Sequence, residues 1–248
     1  MTTSQGELTP GEVEFLLAFA DDEHLIGQRH TEWIGIAPFL EEDLAFASIA
    51  QDELGHAAAL YELVDADVDR LALLRSPAEY RSSWFVEHPG DDWADAIVRQ
   101  WLYDLAEEHR WAAVAGSRLA PLAHLAARAE REEQYHRRHA RALLDAMWPD
   151  ASARARLDAA LATMLPLAVQ QFEAVAGEGD ALASGLSTTP WSDALPQWQD
   201  AVEAVIGPRS WPEPGAGATA GRTMRSAHFA AVYDELRAVI TIDASATW

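Results

Sequence analysis

The 248-residue chain has no cysteine, and it also lacks lysine and asparagine altogether. Without a thiol there is no disulfide, no thiolate metal site and no cysteine nucleophile. Every one of the 18 basic residues is arginine, set against 40 acidic ones, for a formal charge of −22. Such a surface repels phosphate backbones and anionic headgroups, so neither nucleic acid nor membrane is an expected partner. No apolar run is long enough to span a bilayer, and the stretch from Met1 to Glu7 lacks the basic and apolar blocks of a signal peptide. The expected location is the cytoplasm. No segment has the alternation of a β-strand or the turn chemistry of a hairpin.

What remains is helix. With 49% apolar residues the chain can bury a large core. Val13, Leu16, Leu17, Ala20, Leu25 and Ile26 recur at helical spacing after the start signal Thr9-Pro10, predicting a helix over about 10–34. Gly35-Ile36-Ala37-Pro38 breaks it, and a second helix follows over about 39–64, opened by Glu41, Glu42 and Asp43 at its positive end. A polar stretch with Pro77, Pro89 and Gly90 separates these from two further helices, about 92–118 and 121–148. Beyond them the pattern predicts helices over about 151–176, 192–206 and 222–241, with a Gly- and Pro-rich loop over 207–221. One domain is expected over 1–248, a core bundle over about 10–148 and a C-terminal helical extension over about 151–248.

The chemistry lies in two Glu-x-x-His pairs, Glu53/His56 and Glu133/His136. On a helix each pair places a carboxylate and an imidazole on one face, a turn apart. Roughly one such pair is expected by chance in this composition, so the spacing carries the weight. Glu23 precedes Glu53 by 30 residues and Asp104 precedes Glu133 by 29. Glu23 and Glu53 lie about equally far from the break between their helices, roughly 21 Å along each arm. Asp104 and Glu133 repeat the arrangement. Glu107 and Glu108 compete with Asp104, and His30 and Glu32 with Glu23, but they fit the level spacing less well. His24, His109, His124 and His139 read as surface or supporting groups. Phe46, Ile49, Ala50, Ala57 and Leu60 flank Glu53, and Ile97, Trp101 and Trp111 flank Asp104. Carboxylates set in apolar stripes need a compensating cation. Four carboxylates and two histidines on four helices form a donor set for two iron ions, with manganese as the alternative.

Three segments of the first two helices resemble a known family: Asp21-Asp22-Glu23-His24-Leu25-Ile26-Gly27-Gln28-Arg29, Thr31-Glu32-Trp33-Ile34-Gly35 and Leu40-Glu41-Glu42-Asp43-Leu44-Ala45. Glu132-Glu133-Gln134-Tyr135-His136-Arg137-Arg138-His139 and the tail Arg225-Ser226-Ala227-His228-Phe229, Asp234-Glu235-Leu236 and Trp248 extend the likeness. The family is that of phenylacetate catabolism, the ferritin-like subunits of bacterial phenylacetyl-CoA epoxidase. The resemblance implies an all-α fold, a ferritin-like four-helix bundle with additional C-terminal helices. It also implies one of two roles. The family's A-type member holds a di-iron site that activates O2 and epoxidises an aromatic ring, whereas its C-type member is a scaffold without metal ligands. Length, first helix and tail resemble the C type, while Ala50-Gln51-Asp52-Glu53-Leu54-Gly55-His56 and Trp101-Leu102-Tyr103-Asp104 resemble the A type. A metal-competent oxygenase is therefore expected, with an aromatic or acyl-CoA substrate, O2, a reductase, and a paralogous subunit or further copies as partners. Phe19, Phe46, Trp101 and Trp111 are candidate cavity walls. Arg128, Arg131, Arg137, Arg138 and Arg141 form the one dense basic cluster that could meet CoA phosphates.

Overall fold

The computed structural model describes residues 7–211 and 222–243. Among these there is no β-strand, and the chain is all-α and ferritin-like in class, with the long helices expected and additional C-terminal ones. The helices are α1 (Pro10–Thr31), α2 (Leu40–Val64), α3 (Val68–Leu73), α4 (Trp84–Glu87), α5 (Trp93–Ala115), α6 (Ala120–Met147), α7 (Ala151–Ala168), α8 (Glu178–Ser184), α9 (Leu195–Ile206) and α10 (Phe229–Leu236). No helix among the described residues is long and apolar enough to cross a membrane.

The chain divides into two compact units. One comprises residues 1–15 and 90–221, and the other residues 16–89 and 222–248, so the boundary falls within α1. In the first unit α5 packs against α6 and α7. Its α5 starts at a capping box: the Asp92 carboxylate accepts from Ala94 N–H (2.8 Å) and Asp95 N–H (3.1 Å), and Asp95 accepts from Asp92 N–H (3.2 Å). Ile97, Val98, Leu102, Leu122 and Leu161 fill the interior, and the Trp198 indole donates to the Leu102 carbonyl at 3.1 Å. The second unit buries Leu25, Ile26, Phe46, Ile49, Leu60 and Phe85.

The first four long helices match their expected limits within three residues, α7 stops eight residues short of the expected 176, and the connections differ. The stretch after α2 contains α3, α4 and a 3-10 turn at Pro77–Glu79. Asp67 caps α3 by accepting from Arg70 N–H (3.0 Å), and Ser76 and Glu79 cap the turn that follows. Gly177, at φ +77°, turns the chain into α8. Pro166 sits inside α7 without breaking it, and the helix ends at Ala168 in a 3-10 turn. The final helix is shorter than the predicted 222–241. Arg222 takes a left-handed φ of +53°, and residues 222–228 form turns instead. Most of the predicted loop over 207–221, and Trp248, lie outside the described residues.

Candidate metal centre

In the second unit, Glu23 on α1 and Glu53 and His56 on α2 are all fully buried. His56 Nδ1 lies 3.3 Å from Glu23 Oε2 and 3.6 Å from Glu53 Oε2. One donor atom from each of the three falls within 4.8 Å of the others. Burial alone would push the His56 imidazole down, but hydrogen bonds and charge from Glu23 and Glu53 override it and hold the pKa up at about 11. The two carboxylates therefore draw a positive charge into a dry site. A divalent cation supplies that charge equally well, with the imidazole then neutral and acting as a ligand.

Two neighbouring carboxylates on α1 are satisfied by other means. Asp21 accepts from Tyr61 Oη (2.6 Å), from the Arg81 N–H (2.5 Å) and from the Arg75 guanidinium. Asp22 accepts from Ser83 N–H (2.7 Å) and from Arg222 Nη1 (2.6 Å). Three consecutive residues on a helix point about 100° apart, so each meets a different neighbour. Asp21 and Asp22 meet arginines, and Glu23 meets His56. A further buried pair, Glu87 and Arg225 (2.7 Å), ties the C-terminal turns to α4, with Ser226 N–H also donating to Glu87 at 2.6 Å. Burial pushes the Glu87 carboxyl above the usual range, against the pull of Arg225 and Ser226. Sequence reasoning missed Arg75, Arg222 and Arg225. The signal available was the run of three acidic residues inside an otherwise apolar helix.

In the first unit, Asp104 on α5 and Glu133 and His136 on α6 are also fully buried. His136 Nδ1 lies 3.2 Å from Glu133 Oε1, and one donor atom from each of the three again falls within 4.8 Å of the others. The Gln100 amide donates to the His136 carbonyl at 3.5 Å and stands 3.3 Å from His139 Nδ1. Glu107, set aside in favour of Asp104 on spacing, is as deeply buried as Asp104, and it accepts from the Trp111 indole at 3.3 Å. Glu108 is half exposed and lies 3.7 Å from Arg137.

The other sequence candidates sort by burial. His124 is exposed, and His109 and His139 are half-buried. His24 is buried edge-on to the Tyr61 ring, and burial holds its pKa down at about 4. His30 is buried with its ring edge-on to Phe46, and Glu32 is paired with Arg29. Phe19, Phe46, Trp101 and Trp111 are all buried. In the arginine cluster of α6, Arg128, Arg137 and Arg141 are matched with Glu132, Glu130 and Asp145 at 3.5, 3.1 and 2.9 Å.

Each unit thus carries the same donor set, two carboxylates and one imidazole, buried and convergent. Hard oxygen donors with one nitrogen and no sulfur suit iron or manganese in a carboxylate site. The sequence pattern of the family described as "Phenylacetic acid catabolic protein" matches residues 2–248. The chain belongs to that family. Within the phenylacetic acid catabolic proteins it is similar to the C subunit of 1,2-phenylacetyl-CoA epoxidase from Escherichia coli (strain K12). The two are 34% identical over 136 residues, 53% of this chain and 55% of that protein. The chain therefore spans about half the length of the curated relative it matches.

Proposed function

We propose that the chain is a di-metal oxygenase. In this reading Glu23, Glu53 and His56 take one ion, Asp104, Glu133 and His136 take the other, and Glu107 is a further donor. The single observation behind it is the duplicated buried set of two carboxylates and an imidazole. Iron is the metal that fits the proposed reaction, with manganese as the alternative. When bound, such a centre supplies reductive activation of O2 and delivery of an oxygen atom to an apolar substrate. The chain's own residues hold the donors in place and keep them dry. Asp21 and Asp22 are neutralised by Arg75 and Arg222, which leaves the charge of Glu23 for the centre. Gln100 on α5 reaches the His136 carbonyl at 3.5 Å, beside the turn of α6 that carries this imidazole.

The substrate in this reading is aromatic or otherwise apolar and CoA-linked, following the name of the relative. A cytoplasmic location, a reductase as electron donor, and a paralogous subunit or further copies as partners complete it. A second reading is favoured by that same name, which is that of a C-type member: a scaffold that pairs with a catalytic paralogue and turns over no substrate itself.

Metal analysis of the purified full chain decides between them. The oxygenase reading expects about two iron or manganese ions per chain, a thermal midpoint that falls on chelation, and an O2-sensitive optical band. A chain that purifies without metal and is indifferent both to added iron and to chelator supports the scaffold.

A further inference from the structure

The turn between α1 and α2 leaves five large apolar side chains uncovered: Ile34 (45% exposed), Ile36 (68%), Phe39 (69%), Leu40 (69%) and Leu44 (65%). Single exposed leucines are ordinary, but five such residues within eleven, from the turn into the first turns of α2, are a patch. The turn is also built to hold its shape. Asp43 Oδ1 accepts from the Gly35 and Ala37 N–H groups at 3.1 and 3.0 Å. The Trp33 carbonyl accepts from Ile36 and Ala37, and the Phe39 carbonyl from Glu42 and Asp43. Gly35 supplies the φ of +85° that this path requires. An apolar surface fixed in advance loses little conformational entropy when it is covered.

Charge narrows what can cover it. From Thr31 to Gly55 there is no basic residue; Glu32 is paired with Arg29, and Glu41, Glu42 and Asp43 lie among the apolar side chains in sequence. We propose that this turn is a docking surface for a different protein, one presenting an apolar recess ringed by arginine or lysine. A second copy would bring the same acidic rim against itself in a chain already at −22. An anionic bilayer would be repelled for the same reason. The inference rests on this surface alone and stands whether or not the carboxylates hold metal.

The test is site-specific photo-crosslinking of the full chain in its native host. Phe39 is replaced by p-benzoylphenylalanine, with the exposed Ala155 of α7 replaced in the same way as the control. The expected result is an adduct with one other protein at position 39 and none at 155, the crosslinked peptide being apolar and flanked by arginine or lysine. With that protein purified, Phe39→Ser with Leu40→Ser weakens binding by about thirtyfold. Glu41→Arg weakens it by about tenfold at low salt and much less at high salt. Circular dichroism checks that these surface variants remain folded. An adduct with a second copy, no protein adduct above the control, or a partner whose affinity ignores the Phe39/Leu40 change would each overturn the proposal.

Discussion

Arg222 Nη1 lies 2.6 Å from Asp22 Oδ2, and neither side chain reaches solvent to any extent. The contact joins residues 200 apart in sequence and brings the C-terminal turns onto α1 beside Glu23. Removing one member strands the other charge in the interior. Arg222→Ala is expected to cost about 3–5 kcal/mol, measured by urea denaturation. The double change Arg222→Met with Asp22→Asn should cost clearly less than Arg222→Ala, because it leaves no unpaired charge. Equal costs would show that the ion pair is not what holds the segment.

At Gly27, α1 lies close against the turn of α2 that carries Glu53. A Cβ there would lie 2.9 Å from Leu54 Cγ and 3.2 Å from Glu53 Cβ. Gly27→Ala gains the helix propensity that glycine lacks, worth about 1 kcal/mol. It must also push aside the turn of α2 carrying Glu53, at a cost of about 1–3 kcal/mol. The net expectation is a modest loss of stability together with weaker metal retention in a chelator titration. A variant that is more stable than the parent and holds metal equally well would rule out this close approach.

The parts of the structure legible in the sequence are those fixed by local periodicity. Phe46, Ile49, Ala50, Ala57 and Leu60 mark the buried face of α2, and the breaks at Gly35-Ile36-Ala37-Pro38 and near Pro121 mark the hairpin turns. The burial of Glu53 and Asp104 followed from their apolar neighbours, and that of Glu23 and Glu133 from the matching spacing. The short helices were not legible. α3, α4 and α8 have seven residues or fewer, too few for periodicity, and depend on caps such as Asp67. The C-terminal turns read as helix because Met224, Phe229, Val232 and Leu236 keep a helical spacing. Arg222 and Arg225 are instead drawn into ion pairs with Asp22 and Glu87, partners more than a hundred residues away. Glu107 escaped because it lies one turn from Asp104 on the same face, and spacing selects only one of two such residues.

Loss of one imidazole should be felt by one ion. If each triad holds its own metal, His56→Ala and His136→Ala each lower the content from about two ions per chain to about one. Glu108→Ala, at a half-exposed position, should leave it unchanged. Glu107→Gln should reduce retention of at least one ion if Glu107 is a donor. Metal analysis after desalting gives the count, and thermal midpoints with and without chelator show whether the lost ion was stabilising. Loading of two ions in the His56→Ala variant would discard this donor assignment.

Glu12, at the start of α1, offers a test by pH. Its carboxylate accepts from Thr9 N–H at 2.8 Å and Ser184 Oγ at 2.6 Å, and it pairs with Arg118, while Thr9 Oγ1 accepts from the Glu12 N–H at 3.2 Å. Burial works to raise its pKa, but the hydrogen bonds from Ser184, Thr9 and Arg118 and the arginine's charge outweigh it and hold it at about 2, below the ordinary 4.5. A carboxylate depressed in this way stabilises the fold above its unfolded pKa. Between pH 4.5 and about 2 the unfolded chain takes up a proton that the folded one resists, so the stabilisation drains away across that window. Glu12→Gln should therefore cost about 2 kcal/mol near neutrality, since it weakens charge-assisted bonds at a buried junction. As the pH falls from 4.5 toward 2, the gap between variant and parent should close. Thermal midpoints of the two proteins, measured in parallel from pH 6 down to the acid limit of folding, follow this directly. A gap that stays constant through the window would mean that the side chain acts through packing and not through its charge.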